Sequence, residues 1–383
     1  MKNWKGLLPA ALIMLLPNFQ IAAAAGLEIE TVAREAILLD AETGAVLFEK
    51  NADVPMPPAS MSKLMTIAMV FDRLAEGTLK MEDTFLVSEN AWRTQGSKMF
   101  VVLGDRVNVS DLLHGIIVQS GNDACVVVAE GIGGDEVTFA RMMNERAREI
   151  GLKNSEFRNS SGWPDPEHLM SARDLAILSR YLITRHAQYY PLFAIKEFTW
   201  HEIKQGNRNP LLYSYPGADG LKTGHTAEAG YGLAASAERD GRRLILVFTG
   251  TDSMKRRASE AERLLTFGFG QFDNYTLLSA GQKLGEVDVW LGDTAKIPII
   301  AGKQVRITLS RTARKSLTAK LVYNTPVAAP IAAGAEIGTV TFTVPGMAPV
   351  TVPAVAGAAA GKLGFFGKIP AVFNYLLWGP SSG

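Results

Sequence analysis

The sequence predicts a mixed α/β domain over residues 26–274, followed by a small all-β domain over residues 275–352. Three observations predict this. Helical and strand patterns alternate along the first 270 or so residues. Helical periodicity then stops near residue 275. From there to about residue 352, short β-branched runs are separated by Gly, Pro and Asp. With 383 residues, 47% of them hydrophobic, the chain can bury a substantial core, which excludes wholesale disorder. A formal charge of +1 and the lack of a long basic run give no indication of nucleic acid as a partner.

Residues 1–25 read as a secretory signal peptide. Lys2 and Lys5 precede the apolar stretch Gly6 to Leu16, which is short for a bilayer span, and Ala22 to Ala25 offers small-residue cleavage sites. An uncleaved anchor fits less well, because the stretch is short and ends in alanines. Ala36–Asp40 and Val46–Phe48 flank Thr43-Gly44 and read as a hairpin. After Pro57-Pro58 the period changes. Ser60 opens a helix with Leu64, Ile67, Ala68, Phe71 and Leu74 on one face, closed by Gly77.

Further helices are expected over 109–118 (capped by Asn108 or Ser110), 123–132, 137–150, 171–183 and 260–267, with a strand over 244–249. In the second domain the runs 286–291, 304–309, 319–323 and 338–344 read as strands. The Ala/Pro/Gly stretch 353–360 reads as a linker. Residues 361–383 read as an amphipathic tail, with Phe365, Phe366, Ile369, Val372, Phe373, Leu376 and Leu377 on one face. Lys362, Lys368 and Pro370 interrupt it and it is too short to span, so it is expected to lie in a membrane interface. Docking on the protein's own core is the alternative.

Three short motifs carry the chemistry. In Ser60-Met61-Ser62-Lys63, residues three apart share a helix face, so Ser60 and Lys63 can meet. Ser60 is the only serine with a lysine three positions on. Such a lysine can take the hydroxyl proton only if burial or a second cation pulls its pKa towards neutrality. In Ser120-Gly121-Asn122, between two helices, Ser120 can relay a proton and Asn122 can hold a carbonyl. In Lys222-Thr223-Gly224, followed by His225 and set among strands, Lys222 supplies a second positive charge. Thr223 can bind a carboxylate, and Gly224 can let a substrate backbone approach closely.

The order of the three motifs, the second and third following the first at about 60 and 160 residues, resembles that of penicillin-binding proteins and serine β-lactamases. The sequence more specifically resembles the D-alanyl-D-alanine carboxypeptidases, the low-molecular-mass penicillin-binding proteins. Residues 119–125, Met170-Ser171-Ala172-Arg173-Asp174-Leu175, Asn207-Arg208-Asn209 and Lys222 to Thr226 look like that family's landmarks, and the match covers about residues 28 to 272.

The resemblance implies an antiparallel sheet between helical layers, with Ser60 at a helix start in the cleft. It implies Ser60 as acyl-enzyme nucleophile, Lys63 as general base and Ser120 as proton shuttle. Asn122 would bind substrate. Lys222 and Thr223 would lower the base's pKa and hold the terminal carboxylate. The backbone N–H groups of Ser60 and His225 would form the oxyanion hole. Arg208 is a carboxylate partner or a fold-holding residue. The implied activity is removal of the terminal D-alanine from peptidoglycan stem pentapeptides, with no metal or organic cofactor. β-Lactams would acylate and inhibit it. The implied place is the periplasm, on the outer face of the inner membrane.

Three other readings compete: a β-lactamase, a DD-endopeptidase, and a non-catalytic peptidoglycan-binding protein. Penicillinases of the related type add a glutamate in an E-x-x-L-N loop, and the nearest stretch, Glu156-Phe157-Arg158-Asn159, lacks that spacing. The five histidines show no metal-ligand spacing, and no G-x-S-x-G elbow occurs. Cys125 reads as a small core residue whose modification would disturb the nearby site. Gly131 to Gly134 reads as a turn rather than a dinucleotide loop. Gly96-Ser97 also reads as a turn, with a border to the cleft as the alternative.

Overall fold

The computed structural model describes residues 29–364 and Ile369. The expected signal peptide, and the expected amphipathic tail beyond Gly364 except Ile369, lie outside the described residues.

The first domain is built on a five-stranded antiparallel sheet. Its strand order is Val46–Lys50, Glu35–Asp40, Arg242–Thr251, Gly230–Arg239 and Ala218–Thr226. Alternate residues serve opposite faces, as a strand's period of two requires. Ile37, Leu39, Ile245 and Val247 face a layer of helices that includes Lys63–Glu76, Val109–Ile117, Asn122–Gly133, Glu136–Ile150 and Ala172–Arg185. Ala36, Leu38, Leu244 and Leu246 face the helix Met254–Gln271 through Leu264 and Leu265. The sheet between helical layers is thus the architecture that the family resemblance implied.

Local chemistry sets the helix ends. Asn108, Asp135 and Ser171 each accept a hydrogen bond from a backbone N–H in the first turn of the following helix. Gly77 and Gly151 close helices in the left-handed conformation. The last helix starts at Met254, six residues before the expected Glu260, because Ser253 caps it. A hairpin pairing Glu197–Trp200 with Ile203–Gly206 was not expected. His201 and Glu202 turn it at φ 44 and 61 without the glycine or asparagine that usually marks such a turn.

The second domain begins with strand Phe272–Leu278, directly after the helix, paired with Val305–Ser310. A six-stranded sheet follows, and its core includes Val287, Ile299, Val340, Phe342 and Val352. The expected linker over 353–360 is corrected here. Val350–Ala356 is a strand paired on both sides, and Ala360 bridges to Ile331. Ala354, Ala356 and Ala360 are buried. Alanines filling the narrow inward positions of a small β-domain have the composition of a flexible tether, and composition alone does not separate the two. Among the described residues no helix is long and apolar enough to cross a membrane.

Candidate active site

Ser60 sits in a 3₁₀ turn, Ala59–Ser62, that leads into the helix Lys63–Glu76. The turn, rather than the α-helix itself, carries the nucleophile candidate. Ala59 holds φ 48, a conformation unfavourable for a residue with a Cβ, which tertiary contacts must enforce. One such contact is with Gly162. Its φ is +73, and a Cβ there would lie 2.0 Å from the Ala59 carbonyl oxygen, so the loop after Asn159 closes tightly over the turn.

Lys63 is fully buried. Its Nζ lies 2.9 Å from Ser60 Oγ, 2.7 Å from Asn122 Oδ1 and 2.6 Å from the Ser161 carbonyl oxygen. The last two groups can only accept hydrogen bonds. They therefore use both N–H groups of a neutral amine and leave its lone pair for the Ser60 hydroxyl proton. Burial pulls the Lys63 pKa down to about 8, with the Arg208 guanidinium adding to the effect.

Of the two expected sources of that shift, burial comes first. Lys222 is itself buried and depressed below the ordinary ammonium range, first by burial and then by the charges of Lys63 and Arg208. Desolvation, more than a second ammonium, makes Lys63 a base.

The second motif meets the first directly through Asn122, which opens its helix at the cleft. Asn122 Nδ2 donates to the Gln95 carbonyl at 2.8 Å, and its backbone N–H donates to the Ser97 carbonyl at 2.7 Å. Asp123 accepts from the backbone N–H groups of Met99 and Phe100. Gly96-Ser97 is therefore bound to the second motif and borders the cleft. A Cβ on Gly96 would lie 2.7 Å from Asn122 Nδ2. Ser120 holds φ 61, and its buried Oγ has no hydrogen-bond partner among the described residues. A strained backbone and an unpaired buried hydroxyl commonly occur together at functional positions.

The third motif lies on the edge strand Ala218–Thr226, with Lys222 and Thr223 buried and His225 exposed against Tyr231, ring centroids 3.9 Å apart. Gly224 serves packing in a way not expected. A Cβ there would meet the Pro58 carbonyl oxygen at 2.8 Å and Met61 Cγ at 3.2 Å. Its bareness lets the strand close on the nucleophile turn.

The flanks of Arg208 are structural: Asn209 Nδ2 donates to the Gly220 carbonyl and its backbone N–H donates to Asn207 Oδ1. Arg208 itself donates to Ser97 Oγ at 2.7 Å, and no carboxylate pairs with it among the described residues.

Sequence reading missed three contributors. Ser161 supplies a carbonyl to Lys63, and no side-chain pattern announces that. His168 Nδ1 accepts from the Arg158 backbone N–H, and its Nε2 lies 2.6 Å from Ser62 Oγ. Burial lowers its pKa to about 4, so the imidazole is a neutral strut between the loop and the nucleophile turn. Arg257 is almost fully buried, its Nε is unpaired, and it helps depress Lys222. Its signal was available. Lys255, Arg256 and Arg257 crowd a helix start, where acids rather than bases are favoured. Cys125 is fully buried, and its thiol is pushed up to about 12, chiefly by burial.

A positively charged cleft thus surrounds a hydroxyl in contact with a weakly basic amine. That arrangement suits acyl transfer on a substrate carrying a carboxylate.

Comparison with known proteins adds to this geometry. Residues 20–253 match the family described as D-alanyl-D-alanine carboxypeptidase, and residues 272–362 match the C-terminal domain of penicillin-binding protein 5. The chain is 37% identical to the D-alanyl-D-alanine carboxypeptidase DacC of Escherichia coli over 94% of this chain and 92% of the relative. It is 35% identical to DacF of Bacillus subtilis over 83% of each. Penicillin-binding protein 5 from Haemophilus influenzae superposes with a TM-score of 0.76 at 35% identity, over 88% of this chain and 99% of that one.

Proposed function

The chain belongs to the D-alanyl-D-alanine carboxypeptidase family of serine peptidases, and from that membership we propose a residue-level mechanism for removal of the terminal D-alanine from peptidoglycan stem peptides. The observation that carries it is the 2.9 Å contact between buried Lys63 Nζ and Ser60 Oγ.

Neutral Lys63 takes the Ser60 proton as Oγ attacks the carbonyl carbon of the penultimate D-alanine. The backbone N–H groups of Ser60 and His225 receive the oxyanion. The carboxylate of the leaving residue lies with Thr223, Lys222, Arg208 and Arg257, where the positive charge is gathered. Asn122 binds the acyl-side amide. Ser120 relays the proton that Lys63 took to the departing amine, whose bond to the acyl carbon breaks, and Lys63 is neutral again. Water then attacks the ester on Ser60, Lys63 accepts its proton and returns it to Ser60 Oγ as the bond to the acyl carbon breaks, and the shortened peptide leaves.

The same attack opens a β-lactam ring. The amine so released stays tethered in the cleft, which slows hydrolysis of the ester. Glu156 supports peptidase over β-lactamase action: it lies near the surface, 3.6 Å from Arg158, and bonds neither Ser60 nor Lys63. With a pentapeptide substrate, free D-alanine and the tetrapeptide are the expected products. Fast steady-state hydrolysis of penicillin without D-alanine release would instead make it a β-lactamase.

The reading also places the enzyme in the periplasm, with the tail lying on the inner membrane's outer face from residue 365 onward; the expected start at 361 is corrected, because Gly361, Lys362 and Leu363 pair with Asp293, Gly292 and Leu291 of the second domain. The lysines and apolar stretch before residue 17 and the one-sided apolar pattern of the tail support it. Deletion from residue 365 onward is expected to move the protein from the membrane to the soluble periplasmic fraction. Retention on membranes would count against the tail.

A further inference from the structure

Ser62 lies inside the nucleophile turn, between Ser60 and Lys63, and is fully buried. A buried hydroxyl needs a partner. It finds one in His168, itself buried, whose Nε2 lies 2.6 Å from Ser62 Oγ. The other ring nitrogen, Nδ1, accepts from the Arg158 backbone N–H at 3.2 Å. A backbone N–H can only donate, so the neutral ring carries its proton on Nε2 and donates it to Ser62. The segment that carries the ring is itself held. Leu169 pairs with Glu156 and Met170 pairs with Met56 through backbone hydrogen bonds, and the Phe157 ring meets the imidazole edge-on with centroids 5.6 Å apart.

Arg158 leads into the loop whose carbonyls lie over the nucleophile's helix. The Ser160 carbonyl accepts from Thr66 Oγ1 at 2.5 Å, and the Ser161 carbonyl accepts from Lys63 Nζ at 2.6 Å. Lys63 and Thr66 are three residues apart and share a helix face. Glu136 Oε1 holds the same loop, accepting from the Ser160 backbone N–H at 3.0 Å and from its hydroxyl at 2.5 Å. One imidazole therefore fastens the turn that carries Ser60 to the loop that grips Lys63. A general base depends on such spacing, since a misplacement of about 1 Å can cost on the order of a hundredfold in rate.

We propose that His168 is a positioning residue for the general base: by joining Ser62 to the Arg158 backbone it sets the spacing between the nucleophile turn and the Ser161 carbonyl, and so aims the Lys63 amine at Ser60. This rests on the reading of Lys63 as the base. His168 touches no reacting atom. Its pKa of about 4 keeps the ring neutral where Lys63 titrates, so the ring adds no titration of its own there. The charged and titratable groups that act on Lys63 are Arg208, Asp123 and Cys125, and Lys63 in turn acts on Lys222. Those that act on His168 are Asp165, Arg158 and Lys63. Substitution of His168 leaves the groups around Lys63 in place, so a moved titration reports the setting of the amine.

The test follows the rate constant for acylation by a labelled penicillin across the pH range in which Lys63 titrates. His168→Leu is expected to slow acylation about tenfold or more and to move its pH midpoint upward from about 8. Burial is the first cause of the low Lys63 pKa, and a released loop lets water reach the amine. His168→Gln keeps one donor and one acceptor at the end of the side chain, and is expected to retain most of the rate and the wild-type midpoint. Ser62→Ala cuts the same link from its other end. It is expected to match the leucine variant, and the double variant to be no slower than either. A cooperative melting transition shows that each variant is folded, and Ser62→Ala replaces His168→Leu if that one is not. An unmoved midpoint in the folded variant overturns the proposal, even if the rate falls, because the ring then only supports the fold. A glutamine variant as slow as the leucine variant overturns it too. A wild-type rate constant that does not change with pH is a separate failure, that of Lys63 as the base.

Discussion

Ser60→Ala is expected to abolish covalent labelling by penicillin and to lower D-alanine release by about 10⁴-fold or more, the scale seen when a covalent nucleophile is removed. No neighbouring hydroxyl is placed to substitute. Ser62, two residues on, is buried with its Oγ 2.6 Å from His168 Nε2, and Ser120 is buried between two helices. The substitution should leave the fold intact. Ser60 is only partly buried, and its side chain is hydrogen-bonded to Lys63. The expected stability change is therefore about 1 kcal/mol or less. Mass spectrometry after incubation with a β-lactam reads the first effect and thermal melting reads the second. A covalent adduct on the alanine variant would place the nucleophile elsewhere.

Lys63→Ala is expected to slow acylation by about 10³-fold or more, because general-base assistance is lost at the step that forms the ester. The variant also leaves Asn122 Oδ1 and the Ser161 carbonyl without their donor, and each buried orphan acceptor costs about 1–3 kcal/mol. Removing a buried amine relieves desolvation in the opposite direction. The rate, measured on protein whose melting transition remains cooperative, is therefore the informative readout. Lys63→Arg sharpens the result. It keeps a cation and its donors but cannot give up a proton near neutral pH, so it should be as slow as the alanine variant. A fast arginine variant would mean that position 63 supplies charge and not basicity.

Much of this architecture was legible in the sequence because its signals are local. Helical spacing from Leu64 to Leu74 and the glycine at position 77 define the nucleophile's helix. Asn108 and Ser171 mark their caps. The three motifs place Ser60, Lys63, Asn122 and Lys222 in one neighbourhood, since side chains of that chemistry are rarely buried without a partner or a purpose. What stayed hidden depends on backbone atoms and distant packing. The Ser161 carbonyl has no identity in the sequence beyond being a peptide group. The bareness of Gly224 looked like room for a substrate, but Pro58 and Met61 fill that space. The depression of the Lys63 pKa was expected from burial or a second cation, and the sequence does not rank the two, because charge can be counted along a chain whereas desolvation cannot. The alanines at 354, 356 and 360 read as a tether because their alternation is visible only once their neighbours are strands.

The pH dependence of acylation by a labelled penicillin tests the central claim most directly. Lys63 must be uncharged to accept the Ser60 proton, and its pKa is lowered to about 8, so the base form grows as pH rises through that value. The second-order rate constant is expected to rise about tenfold per pH unit up to about pH 8 and then to level off. A rate constant flat from pH 5 to pH 9, or one that falls as pH rises towards 8, would contradict the assignment of Lys63 as the base.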